Sequence, residues 1–120
     1  MSDRWALNAS PLIVMGKIGQ IDLFTAIPKE VIVPSAVAVE IKAGPESDNA
    51  RIAIEAGRFH IVDSPEPTPE LMAWDLGMGE TSVISFAINN PEWTAVLDNG
   101  AARKCASIWF IQGRLTKGKK

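Results

Sequence analysis

The stretch LNASPLI, Leu7–Ile13, decides how this chain is read. Before it stands RWAL, Arg4–Leu7, short and apolar enough for a buried strand. After it runs VMGKIGQIDLF, Val14–Phe24, so residues 11–26 read as one or two short helices broken near Gly19. A strand that stops at Asn8 and Ser10 and turns through Pro11 into a helix is the corner of an α/β unit. The proline and a cap explain the turn. Whether Asn8 and Ser10 only cap the helix or face a site is left open at this point.

The pattern repeats outward from that corner. VIV, Val31–Val33, is a second strand bounded by Pro34, and Ser35 is a plausible N-cap for AVAVEIKA, which stops at Gly44-Pro45. ESDNARIAIEAG reads as a helix with Ser47 or Asp48 as cap and Gly57 as terminator. FHIV, Phe59–Val62, is a third strand, followed by a proline-rich loop and the short helix ELMAWDL. Glu80 to Asn89 reads as a strong helix, TAVLD (Thr94–Asp98) as a fourth strand and AARKCASIW as a last helix, with FI before Gln112 as a truncated fifth strand. Alternating strands and helices predict an α/β fold: a parallel sheet of four to five strands with helices on both faces. In such sheets, sites form beyond the carboxyl ends of the strands near a topological switch point, which directs attention to Asn8 and Asp98.

The chain has 120 residues, enough for one domain over residues 1–120 and too few for two. It is 47% hydrophobic and 22% charged, with no apolar run near the ~20 residues that span a bilayer. A soluble, non-membrane protein follows as the expectation. Its start, MSDRWALNA, lacks a secretory layout, and a lone cysteine, Cys105, allows no internal disulfide. Both fit a reducing cytoplasm. Residues 1–98 hold all 14 acids and 6 of the 12 basic residues, a balance of −8, whereas residues 99–120 carry +6. A basic tail at about residues 113–120 reads either as a frayed, solvated end or, with Arg103, Lys104, Arg114 and Lys117, as a phosphate-attracting patch close to an acidic cleft.

Two carboxylates stand out of place. Glu80 shares a helix face with Val83, Ile84 and Ala87, at i, i+3, i+4 and i+7. Glu40 shares a stripe with Ala36, Val37 and Ile41, whereas Glu30, Glu46 and Glu55 sit where solvent is the easy answer. An unpaired buried carboxylate costs several kcal/mol and normally protonates, pairs or binds a metal. Oxygen ligands suit Mg²⁺ or Mn²⁺. With one histidine, His60, placed as an exposed strand residue, a nucleophilic triad or a zinc centre is poorly supplied. The chemistry left is metal-assisted phosphodiester hydrolysis. Trp5, Trp93 and Trp109 read as packing residues. Trp74 reads first as packing, with base stacking or partner docking as the alternatives, and Asp75 can pair with Arg103 or line the cleft.

Four segments, in order, resemble the PIN-domain family: NASPLIVMGKIGQIDLF, VIVPSAVAVEI with its acid at Glu40, DLGMGETSVISFA with its acid at Glu80, and AVLDNGAARKCA with Asp98 and Arg103. The opening is closest to the toxin-type, VapC-like branch that begins Asn/Asp-x-Ser-Pro-Leu-Ile. The resemblance implies a three-layer α/β/α sandwich and an endoribonuclease with catalytic residues Asn8, Ser10, Glu40, Glu80 and Asp98. Of these, Glu40, Glu80 and Asp98 would hold Mg²⁺ or Mn²⁺, and Ser10 would fix the loop or bond a metal water. It also implies an RNA substrate and a small antitoxin protein as partner. This sequence departs from the family pattern at Asn8, where the first acid is usual, at Asn99, where an acid often follows Asp98, and in its short C-terminus. Fewer charges lower metal affinity, and a missing terminal helix would expose a sheet edge or face and invite a homodimer. The competing function is therefore a catalytically degenerate PIN-like domain that binds RNA or protein. A receiver-like module is disfavoured, because no adjacent acids follow the first strand and no lysine follows the last.

Overall fold

The computed structural model describes residues 3–64, 66–67, 69–73, 77–98 and 108–112; the side chains of Glu70, Asp98 and residues 108–112 lie outside that description. The elements run β1 (Arg4–Leu7), α1 (Ala9–Lys17), α2 (Leu23–Ala26), β2 (Glu30–Pro34), α3 (Ser35–Lys42), α4 (Asn49–Glu55), β3 (His60–Val62), α5 (Pro69–Met72), α6 (Met78–Asn89), β4 (Trp93–Asp98) and β5 (Ile108–Gln112). The sheet order is β3-β2-β1-β4-β5. The first four strands are parallel, in registers such as Ala6 opposite Ile32 on β2 and Ala95 on β4.

Consecutive residues of the inner strands are buried, not alternate ones. Trp5, Ala6 and Leu7 on β1, Ile32 and Val33 on β2, and Thr94 to Leu97 on β4 all have little or no exposure. A strand buried on both sides has a covering layer on each face. Parallel strands are joined by crossovers that are right-handed in nearly all proteins, and this rule places the helices in both layers. The chain steps from β1 to β2 to β3 in one direction through α1–α4, then crosses back to β4 on the far side of β1 through α6. This is the α/β/α arrangement expected from the alternation of elements. The core it encloses is built from Leu7, Leu12, Val33, Val37, Ile41, Val83 and Val96, each nearly or fully inaccessible. Full burial of one such side chain is worth about 1.5–3 kcal/mol.

Several local expectations are corrected. The fifth strand runs antiparallel, with Val96 opposite Phe110 and Asp98 opposite Ile108. It takes Ile108 and Trp109, which the helical reading of AARKCASIW had claimed; residues 101–107 of that helix lie outside the described residues. Ser35 is the first residue of α3 rather than its cap. Pro34 holds the cap position, while the Ser35 hydroxyl accepts from the Ser64 backbone amide at 3.2 Å and lies 3.2 Å from the Ser64 hydroxyl. The Ser64 hydroxyl in turn accepts from Ala36 N–H at 2.9 Å, so the loop after β3 does the capping. Asp48 caps α4 by accepting from Ala50 N–H at 3.0 Å, and Gly57 (φ +77°) turns the chain out of that helix in a conformation L side chains rarely adopt. Glu30, Glu46 and Glu55 are exposed, as read; Glu55 pairs with Arg51 at 2.9 Å and Glu30 with Arg4 at 3.4 Å, and Asp22 also pairs with Arg58. His60 is exposed. Trp5 is buried against Phe24, and Trp93 meets Phe86 edge to face at 5.2 Å. Trp74, Asp75 and the side chain of Trp109 lie outside the described residues.

Candidate metal site at the switch point

The strand order reverses between β1 and β4, which carry Asn8 and Asp98 at their carboxyl ends. The backbone joins there: Asn8 N–H donates to Val96 C=O at 3.1 Å, extending the β1–β4 ladder by one step. Asn8 then occupies the N-cap position of α1 in extended conformation, but its side chain makes no capping hydrogen bond. The residue is 8% exposed, and its Oδ1 is buried without a hydrogen-bond partner among the described residues. A buried carbonyl oxygen left unpaired costs about 1–3 kcal/mol, so its orientation needs a cause other than capping. Ser10 lies within the first turn of α1 and is exposed.

Two acids approach the same place from two helices. A β-carbon placed on Gly79, in the first turn of α6, would lie 2.5 Å from Glu40 Oε1 of α3 and 3.4 Å from both Asn8 Oδ1 and Val37 Cγ2. The Glu40 and Asn8 oxygens therefore border one gap over the glycine backbone. Glu80 follows immediately; burial, and then the charge of Glu40, hold its carboxyl above the ordinary glutamate range. The periodicity of α6 placed Glu80 on the face of Val83, Ile84 and Ala87; those three are buried and Glu80 is half-buried. The companion reading of α3 needs correcting. Val37 and Ile41 are buried, but Glu40 is exposed, because its long side chain runs along the rim and brings only its tip to Gly79.

Asn8, Glu40 and Glu80 are thus brought together. Asp98 has its backbone at the end of β4, beside the β1 strand that leads to Asn8, and its side chain lies outside the description. So do Asn99, Arg103, Lys104, Arg114 and Lys117. Among the described residues, no three His, Cys, Asp or Glu side chains form a metal cluster by themselves. What is present is two mutually repelling carboxylates and an orphaned amide oxygen. That oxygen-only donor set fits a hard divalent cation such as Mg²⁺ or Mn²⁺. Gly79 went unnoticed in the sequence as a contributor. The spacing Gly77-x-Gly79-Glu80 was its only signal, and nothing in that spacing says which side chains close on the second glycine.

An α/β sheet with acidic residues converging at its switch point defines a class of proteins that work at the carboxyl edge of a parallel sheet. Within that class, the family model of PIN domains matches residues 4–113, and the chain belongs to the PIN-domain family, whose function is nuclease-type in general. No curated protein and no solved structure matches the chain significantly.

Proposed function

We propose that this protein is a Mg²⁺- or Mn²⁺-dependent endoribonuclease that hydrolyses RNA phosphodiester bonds in the cytoplasm as the toxin of a toxin–antitoxin pair. The observation that carries the reading is the unpartnered, buried Oδ1 of Asn8 bordering the same gap as Glu40, next to a Glu80 held toward its protonated form. Family membership supports the nuclease class. The acid-free, +6 segment from residue 99 onward supports a polyanionic substrate. The toxin role and the small antitoxin partner rest on the opening motif. Among the described residues, no helix is long and apolar enough to cross a membrane.

The residues divide the work by their chemistry. Asn8, Glu40, Glu80 and Asp98 would hold the cation, which when bound supplies an activated water and neutralises charge building on the phosphate. Asn8 contributes a neutral oxygen, so it adds a ligand without adding to the repulsion between Glu40 and Glu80. Burial excludes competing water from the Asn8 side of the gap. Arg103, Lys104, Arg114 and Lys117 would hold and orient the RNA backbone.

The test is cleavage of RNA by purified protein with Mn²⁺. Glu80→Gln and Asp98→Asn should each abolish cleavage while circular dichroism and melting temperature show an intact fold. Retained cleavage in both variants would refute the assignment. A wild-type chain that binds no Mn²⁺ by titration calorimetry would instead be a degenerate RNA- or protein-binding module.

A further inference from the structure

We infer that Gly79 is the positioning residue that admits the Glu40 carboxylate to the gap beside Asn8, so that Glu40 reaches the cation site only because residue 79 lacks a β-carbon. The inference rests on the cation-binding reading above. It starts from a conflict between helix stability and packing. Gly79 is buried in the first turn of a twelve-residue helix, and glycine is among the poorest helix formers. Its backbone is helical, so no special conformation demands glycine there. Space does demand it. A β-carbon would meet Glu40 Oε1 at 2.5 Å, closer than real atoms come, while its distances to Asn8 Oδ1 and Val37 Cγ2, 3.4 Å each, are those of ordinary contact.

The atom in conflict is the far end of a flexible, exposed side chain. An alanine at position 79 would therefore cost the fold little, because Glu40 can swing into solvent. It would cost the site a ligand. The neighbouring glycine supplies the contrast: Gly77, at the N-cap of α6, has nothing among the described residues within 4 Å of where its β-carbon would lie.

The experiment measures Mn²⁺ binding directly, by titration calorimetry on the full chain, beside melting curves in chelator. Gly79→Ala should bind Mn²⁺ about 10–100-fold more weakly, the range typical of residues that orient metal ligands. Its metal-free melting temperature should be unchanged or raised, and Gly77→Ala should bind as the wild type does. Shortening the displaced acid gives a readout that a packing role would not move. Glu40→Asp should weaken binding in the wild-type background and strengthen it in the Gly79→Ala background, where the shorter carboxylate clears the new methyl group. Equal Mn²⁺ affinity of Gly79→Ala and wild type would overturn the role of Gly79 and leave the cation site standing. A metal-free Gly79→Ala protein that melts well below wild type would also overturn it, making Gly79 a packing residue. A wild-type chain without Mn²⁺ affinity would remove the cation reading and this inference with it.

Discussion

Asn8 is where capping and ligand binding make opposite demands on one side chain. A capping asparagine turned to alanine costs about 0.5–2 kcal/mol. Here no cap bond exists and Oδ1 is orphaned, so Asn8→Ala should fall below that range in urea denaturation while weakening Mn²⁺ binding. A loss of cap-sized stability with unchanged binding would restore the capping role. Glu80 carries its own signature in pH. Burial and Glu40 raise its folded pKa above the unfolded value, so folding favours the protonated form. The stability this contributes is present below the ordinary glutamate range and is lost as pH rises through the raised folded value. In chelator, the metal-free protein should therefore lose melting temperature across that window. Glu80→Gln should flatten the loss, so that its advantage over wild type grows from acid toward neutral pH. Parallel pH profiles for the two proteins would contradict the raised pKa.

Helix α6 shows what periodicity can reveal and what it hides. The stripe of Glu80, Val83, Ile84 and Ala87 was legible because helical spacing alone assigns it to one face. The same rule placed Glu40 inward and missed its exposure, since a stripe fixes where a side chain leaves the backbone and not where a long one ends. The direction of β5 was illegible for a different reason. Strand patterning in IWFIQ is identical for parallel and antiparallel pairing, and only the length and path of the connection decide. The two buried serines of α6 were equally indistinguishable in sequence, yet their surroundings differ. The Ser82 hydroxyl donates to Gly79 C=O at 2.8 Å, whereas Ser85 Oγ is buried with no partner among the described residues. Ser82→Ala should cost about 0.5–1.5 kcal/mol, the net worth of one hydrogen bond. Ser85→Ala should be neutral or stabilising, because it removes an unsatisfied hydroxyl and adds a better helix former. Urea midpoints of the two variants, lowered in Ser82→Ala and unchanged or raised in Ser85→Ala, are the check; equal shifts would mean the hydroxyls share one environment.

At the scale of the molecule, the site is a consequence of the strand order. Because β2 and β3 lie on one side of β1 and β4 on the other, the strand order reverses at β1 and β4, the place where an α/β sheet opens a crevice at its carboxyl edge. The fold brings α3 and α6 together there, with the Glu40 carboxylate against Gly79 and the half-buried Glu80 close enough to feel its charge. Such an arrangement is stable at a cost without a counter-ion, and the cost is confined to one place. A cation that binds only the folded chain therefore stabilises the whole fold, by about 2.7 kcal/mol at a free concentration one hundred times its Kd. For a chain of this size that is a rise in melting temperature on the order of 10 °C. The gain should appear with Mn²⁺, vanish on chelation, and be absent in Glu40→Gln/Glu80→Gln, whose metal-free form should melt above metal-free wild type near neutral pH because the repulsion is gone. A double variant that melts lower without metal and still gains from Mn²⁺ would place the cation elsewhere, and would show that the carboxylates at the switch point are held by something other than the ion they are shaped to receive.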